Sequence, residues 1–170
     1  IRDAVVSRGL GDVYERQDLA NMLVKGGLKT IQLLGTPSKN DVVPSVDAVI
    51  IALKTRTIPV EDAIEQSLQA MNWLKNAGAK QFFFKYCSTF DSTDEGNIGP
   101  VIDALMAGLE TQFTIACPAF PETERTIFKG HLFVGDKLLS DSPMKDHPFI
   151  GLSDNNSVSY THLRAHETQQ

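Results

Sequence analysis

The chain has 170 residues, 42% of them hydrophobic and 22% charged, with a formal net charge of −5. Such a chain can bury a real core in one domain, and with no basic cluster it argues against a nucleic-acid partner. No apolar run approaches the roughly 20 residues that span a bilayer, no secretory signal pattern opens the chain, and two cysteines make no disulfide framework. A membrane partner is therefore not expected, and a reducing cytoplasm is the expected location.

In chain order, the two ends read unlike the middle. Residues 7–17 (SRGLGDVYERQ) and 158–168 (VSYTHLRAHET) resemble the translation of a transposon-based sequencing adapter in its two orientations. Glu15 is the single departure, where that translation would give Lys. Residues 1–17 and 158–170 are accordingly expected to be adapter-derived and to lie outside the fold, which leaves residues 18–157 as the domain.

Leu19, Met22 and Leu23 recur at helical spacing, and Gly26 and Gly27 stop the pattern as a C-terminal cap would. Thr30–Leu34 reads as a short buried strand, broken by Gly35, Pro37 and Ser38. Residues 48–53 (AVIIAL) are continuously apolar and rich in β-branched side chains, as in a parallel strand covered on both faces. Pro59 suits the first turn of a helix, and Glu61 and Asp62 suit the positive end of its dipole. Ala63, Leu68, Met71 and Leu74 carry the apolar face, with Trp73 beside it and Gly78 at the end. Residues 81–86 form a third strand, residues 98–109 a helix, and residues 113–117 a fourth strand. The order predicts an α/β fold, a mostly parallel Rossmann-like sheet with helices on both faces. After Pro121 the pattern changes. Residues 126–128, 131–134 and 137–139, separated by Lys129, Gly130, Gly135 and Asp136, predict a small antiparallel appendage. Residues 142–157 show no period.

The stretch 85–100 (KYCSTFDSTDEGNIGP) is a strand end, a polar loop and a helix start. In α/β sheets that place, beyond the carboxyl ends of the strands, holds ligands. Arg56 occupies the same relative place after the strand 48–53. Its guanidinium matches a carboxylate with two parallel hydrogen bonds, or else makes a surface ion pair. Lys85 is either a cation reaching the site mouth or a strand-end lysine extending to water. Asp91 and Ser92 either contact substrate hydroxyls or cap the loop. Asn97 is an N-cap or a ligand contact, and Gly99 permits close backbone approach. Cys87 has no neighbouring base and reads as a buried thiol rather than a nucleophile. No His pairs with Cys or Glu at metal-ligand spacing, so no metal site is expected on this chain. No Gly-Lys-Ser/Thr follows the glycines, so this is not a Walker-type phosphate loop.

These runs, with KTRTIP (54–59), CPAFPETERTIFKGHLFVGDKLL (117–139) and DHPF (146–149), resemble the four-carbon acid sugar kinases and, within them, the 3-oxo-tetronate kinase branch. The resemblance runs from about Asp18 to Asn155. It implies an ATP-dependent kinase that phosphorylates the terminal hydroxyl of a four-carbon sugar acid between two α/β domains. This chain would be most of the first, acid-sugar-binding domain. Carried over by position, the resemblance places Asp18, Arg56, Lys85, Asp91, Ser92, Asn97 and Gly99 on acid-sugar-binding motifs. Arg56 would hold the carboxylate, while Lys85 and Asp91 would hold hydroxyl or keto oxygens. ATP and Mg2+ would be bound mainly by a nucleotide domain that these residues do not include, and the base by an opening strand and loop that precede Asp18. On this reading the chain alone is inactive, and the strands beside that missing opening strand lack hydrogen-bond partners. The competing reading is a non-catalytic Rossmann-like module that senses a sugar acid. The stereochemistry of the acid and any homo-oligomer are left open.

Overall fold

A computed structural model describes the backbone over residues 3–8, 13–38, 40–86, 96–117, 119–129 and 131–142, with side chains from Leu19 onward. Strand β1 (Asp3–Arg8) leads to helix α1 (Val13–Lys25), then β2 (Thr30–Leu34) and β3 (Ala48–Leu53). Helix α2 (Val60–Asn76), β4 (Gln81–Lys85) and α3 (Ile98–Gly108) follow. Among the described residues these make a four-stranded parallel sheet in the order β2-β3-β1-β4. A separate antiparallel sheet, β5 (Arg125–Phe128), β6 (His131–Val134) and β7 (Lys137–Leu138), is the expected appendage.

All six residues of β3 are 0–1% exposed, as their continuous apolar character requires. Val49, Ile51 and Leu53 pack with Ala70 and Leu74 of α2. The alternation of a strand then turns Ala48, Ile50 and Ala52 to the opposite face, and their burial means that face is covered too. The crossovers explain how. From β1 the chain passes over β3 to β2, whereas from β3 it passes the other way over β1 to β4. Right-handed crossovers in opposite directions put α1 and α2 on opposite faces. Helix α3 lies beside α2, where Ala63 and Met71 meet Val101 and Leu105 above Phe82 and Phe84. Phe83 points the other way and is half exposed.

Local chemistry sets the element ends. Gly27 and Gly78 both have positive φ, at +86° and +87°, and terminate α1 and α2. Leu28 N–H donates to Leu23 C=O at 3.0 Å, closing the first of these caps. Pro59 stands at the N-cap of α2 rather than inside its first turn, with Glu61 and Asp62 following as expected. Trp73 donates from Nε1 to Ser38 C=O at 3.0 Å and ties the loop between β2 and β3 to α2.

Two expectations are corrected. Residues 1–17 were expected outside the fold, with a gap in the sheet. Instead Asp3–Arg8 is the strand between β3 and β4, running from Asp3 opposite Ala48 and Gln81 to Arg8 opposite Leu53. The slot asks only for a short extended segment that hydrogen-bonds on both edges, and the apolar run Ala4-Val5-Val6 meets that demand. Residues 13–17 likewise form the first part of α1. Second, residues 113–117 form no strand. Thr111 hydrogen-bonds Phe113 through its side chain in both directions, a local turn that competes with sheet pairing. Phe113 and Ile115 remain 73% and 78% exposed, and β4 stays an edge strand. The expected adapter residues 158–170 and the stretch 143–157 lie outside the described residues.

The α2–α3 contact carries a prediction. A Cβ on Gly108 would sit 2.6 Å from Cε of Met71 and 3.3 Å from Cδ2 of Leu68. Gly108→Val is therefore expected to lower stability by about 1–3 kcal/mol, read as a drop in urea midpoint at constant slope. An unshifted midpoint would mean that the two helices are not held this close.

Candidate functional site

The parallel strands β1, β3 and β4 end together, since Arg8 lies opposite Leu53 and Ser7 opposite Lys85. At the β3–β1 boundary the two connections leave toward opposite faces of the sheet. Such a switch point, beyond the strand ends, is the usual ligand position in α/β sheets.

The turn 54–59 leaves β3 at this switch point. Thr55 is 1% exposed and Arg56 only 5%. A surface loop arginine would not be buried to this degree, because desolvating a guanidinium is costly unless it is held by polar partners. Arg56 does have a noncovalent partner in the folded chain. Its burial and position make it a group able to grip a carboxylate at the strand ends.

Asn97 opens α3 and is 3% exposed. It stands at the N-cap position, as one of the two sequence readings had it, but its backbone is helical (φ −86°, ψ −9°) and its side chain makes no capping bond. Its Nδ2 instead donates to Thr55 C=O at 2.7 Å and to Ile58 C=O at 3.0 Å. The helix start after β4 is thereby tied to the turn after β3. Gly99, in the first turn of α3, is half buried, and a Cβ there would meet nothing within 4 Å. Protein packing does not demand glycine at this position, and the space beside it is open.

Lys85 ends β4 half buried, and its Nζ donates to Tyr86 C=O at 2.5 Å. Its strand is separated from β3, which carries the Arg56 turn, by β1. Asp18 lies in the second turn of α1, the helix that follows β1. Asp91, Ser92 and Cys87 lie outside the described residues. The structure thus ties Asn97 to the turn that carries Arg56, with Gly99 two residues further on in α3 and Lys85 at the end of β4, beyond β1. The acceptors that join them, Thr55 C=O and Ile58 C=O, had no signal in the sequence, because every residue carries a backbone carbonyl.

Among the described residues, no three His, Cys, Asp or Glu side chains come together as a possible metal site. Cys117 is exposed and unpaired in a disulfide, and His131 is an exposed strand histidine. Among the described residues, no helix is long and apolar enough to cross a membrane. A cavity of about 490 Å³ also exists, but it lies along the outer edge of β4. It is lined by apolar groups such as Phe82, Phe84, Leu105 and Phe113, and neither Arg56 nor Asn97 borders it. Its largely apolar lining does not suit a sugar acid, so the switch point at the strand ends is the better candidate.

Residues 16–166 match the family model described as a sugar-binding N-terminal domain. The chain is 59% identical over 141 residues to the 3-oxo-tetronate kinase of Burkholderia multivorans, a match that covers 83% of this chain and 33% of the relative. It thus spans about a third of the length of the curated relatives it matches. Among solved structures, a Haemophilus influenzae protein superposes with a TM-score of 0.79 at 51% identity, over 87% of this chain and 35% of that one. A Bordetella bronchiseptica protein, crystallised with bound citrate as a domain-swapped dimer, superposes with a TM-score of 0.70 at 25% identity. That match covers 87% of this chain and 37% of the other.

Proposed function

This chain belongs to the sugar-binding N-terminal domain family, and from that membership we propose that it is the acid-sugar-holding part of an ATP-dependent 3-oxo-tetronate kinase. The observation that carries the reading is the buried Arg56 on its clamped turn, at the carboxyl end of the most buried strand. A four-carbon sugar acid offers one carboxylate and several hydroxyl or keto oxygens. Arg56 pairs with the carboxylate through its fork of N–H groups. Lys85 and Asp91 take hydroxyl or keto oxygens, with Asp18, Ser92 and the open side of Gly99 completing the wall, which Asn97 backs through its bonds to the turn 54–59.

ATP, as its Mg2+ complex, supplies the phosphoryl group when bound, and in this reading it is held mainly by a domain outside these residues. The work of this chain is to fix the acid so that its terminal hydroxyl points toward that domain. Phosphoryl transfer depends chiefly on such positioning and on charge stabilisation. The chain alone is then a binding unit without turnover. The sugar-binding domain itself is placed at residues 18–157, with residues 1–17 and 158–170 as adapter-derived flanks that the sheet and α1 recruit at the amino-terminal side. A cytoplasmic location and a possible homo-oligomer accompany this reading.

The test is to give the full-length protein Mg-ATP with a panel of tetronates and 3-oxo-tetronates. ADP release is expected with at least one 3-oxo-tetronate. Saturable binding of the acid with no ADP would instead identify a sensor module, and the kinase reading would fail.

A further inference from the structure

The arrangement around Asn97 assigns that residue a role distinct from ligand contact. Its Nδ2 carries two protons, and both are committed to carbonyls of the turn 54–59. The two acceptors, Thr55 and Ile58, bracket Arg56 in the chain. The carboxamide is 3% exposed, so its donors are not available to a sugar acid at the strand ends. Arg56 has a noncovalent partner of its own, but among the described residues the turn leaves β3 without a ladder partner, and α2 begins only at Val60, behind an N-cap proline that donates no N–H and makes no side-chain capping bond.

We infer that Asn97 is a positioning residue: its side-chain amide locks the β3–α2 turn so that Arg56 meets the substrate carboxylate in one fixed geometry. The inference rests on the reading that Arg56 holds that carboxylate. It also links the start of α3 to the turn after β3, because the same amide belongs to the residue that opens that helix.

The experiment is a double-mutant cycle in the full-length protein, with the Kd for 3-oxo-tetronate measured by calorimetry without ATP. Erythrulose, in which CH2OH replaces the carboxylate, is the control ligand. Asn97→Ala removes both donors and is expected to weaken 3-oxo-tetronate about 10-fold, the loss typical of freeing one turn held by buried hydrogen bonds. Asn97→Asp sets a carboxylate against two carbonyl oxygens and is expected to weaken it further. Asn97→Ser, which keeps one donor, should fall between wild type and Asn97→Ala and serves if the others do not fold. In the Arg56→Ala background, Asn97→Ala is expected to change Kd less than twofold, and in either background erythrulose binding should barely move. In turnover, the Asn97 variants should raise KM while leaving kcat within about twofold, as loss of uniform binding does.

If Asn97→Ala weakens binding by the same factor with or without Arg56, or weakens erythrulose equally, the positioning role is wrong. The same holds if Asn97→Ala and Asn97→Ser both leave Kd unchanged while Arg56→Ala raises it. If Arg56→Ala itself leaves the Kd for 3-oxo-tetronate unchanged, the carboxylate reading fails first, and this inference falls with it.

Discussion

Arg56→Ala in the full-length protein is expected to raise KM for 3-oxo-tetronate about 100-fold with little change in kcat, equivalent to roughly 3 kcal/mol of lost binding. The magnitude follows from burial. Arg56 is 5% exposed, so a carboxylate bound against it is shielded from the water that would otherwise replace the lost partner. Removing one member of a buried, hydrogen-bonded charge pair leaves the other desolvated and unpaired, which costs more than an exposed pair is worth. The carboxylate lies away from the reacting hydroxyl, so it is held alike in ground and transition states, and the loss should fall on KM. Arg56→Lys should recover only part of the affinity, because an ammonium keeps the charge but not the planar fork. Steady-state kinetics with 3-oxo-tetronate and erythrulose decide the matter. Wild type should prefer the acid strongly, and Arg56→Ala should lose most of that preference. An unchanged KM would remove Arg56 from the site.

A chain that begins at Asp18 is expected to lose its cooperative unfolding transition altogether. This deletes β1 and the first part of α1. Strand β1 is hydrogen-bonded along its length to β3 on one edge and to β4 on the other. Without it the sheet splits into a β2–β3 pair and a solitary β4. The fully buried β3 would gain an open edge, and Phe82 and Phe84 would lose the strand that holds them under α2 and α3. The loss is comparable with the entire stability of an ordinary domain, ~5–15 kcal/mol. Expected signs are a broad calorimetric trace, lost near-ultraviolet dichroism around Trp73, and dye binding to exposed apolar surface. Open strand edges should also promote aggregation. A sharp melt for residues 18–157 would show that the slot is dispensable. A rescue experiment refines the test. If residues 3–8 serve only as an extended apolar filler, another β-forming segment of the same length should restore the transition.

Much of the fold was legible from local signals. The run AVIIAL announced a strand covered on both faces, and every one of its residues is buried. The glycines at 27 and 78 marked helix ends, and each adopts the left-handed conformation that only glycine takes readily. Arg56 stood out because a strand end in an α/β pattern is where ligands gather, and the structure buries it there. Asn97 was singled out by the same logic but for another role, since the sequence suggested a cap or a ligand contact and the side chain reaches instead across to the β3–α2 turn. The segment 113–117 has the composition of a strand and yet pairs with no described strand, where Thr111 bends the chain through its own side chain.

The sequence by itself determined the α/β class, the order of its helices and strands from Leu19 to α3, the antiparallel appendage, and the two strand ends that frame the site. Those properties depend on periodicity, turn residues and charge, which side chains carry locally. Only the tertiary structure decided that residues 3–8 occupy the centre of the sheet, that residues 113–117 stay out of it, and that Asn97 holds the turn bearing Arg56. Those outcomes depend on which backbone donors and acceptors meet across the fold. Every residue but proline carries the same backbone donor and acceptor, so the choice among partners is made by the space each segment finds and not by the letters that compose it.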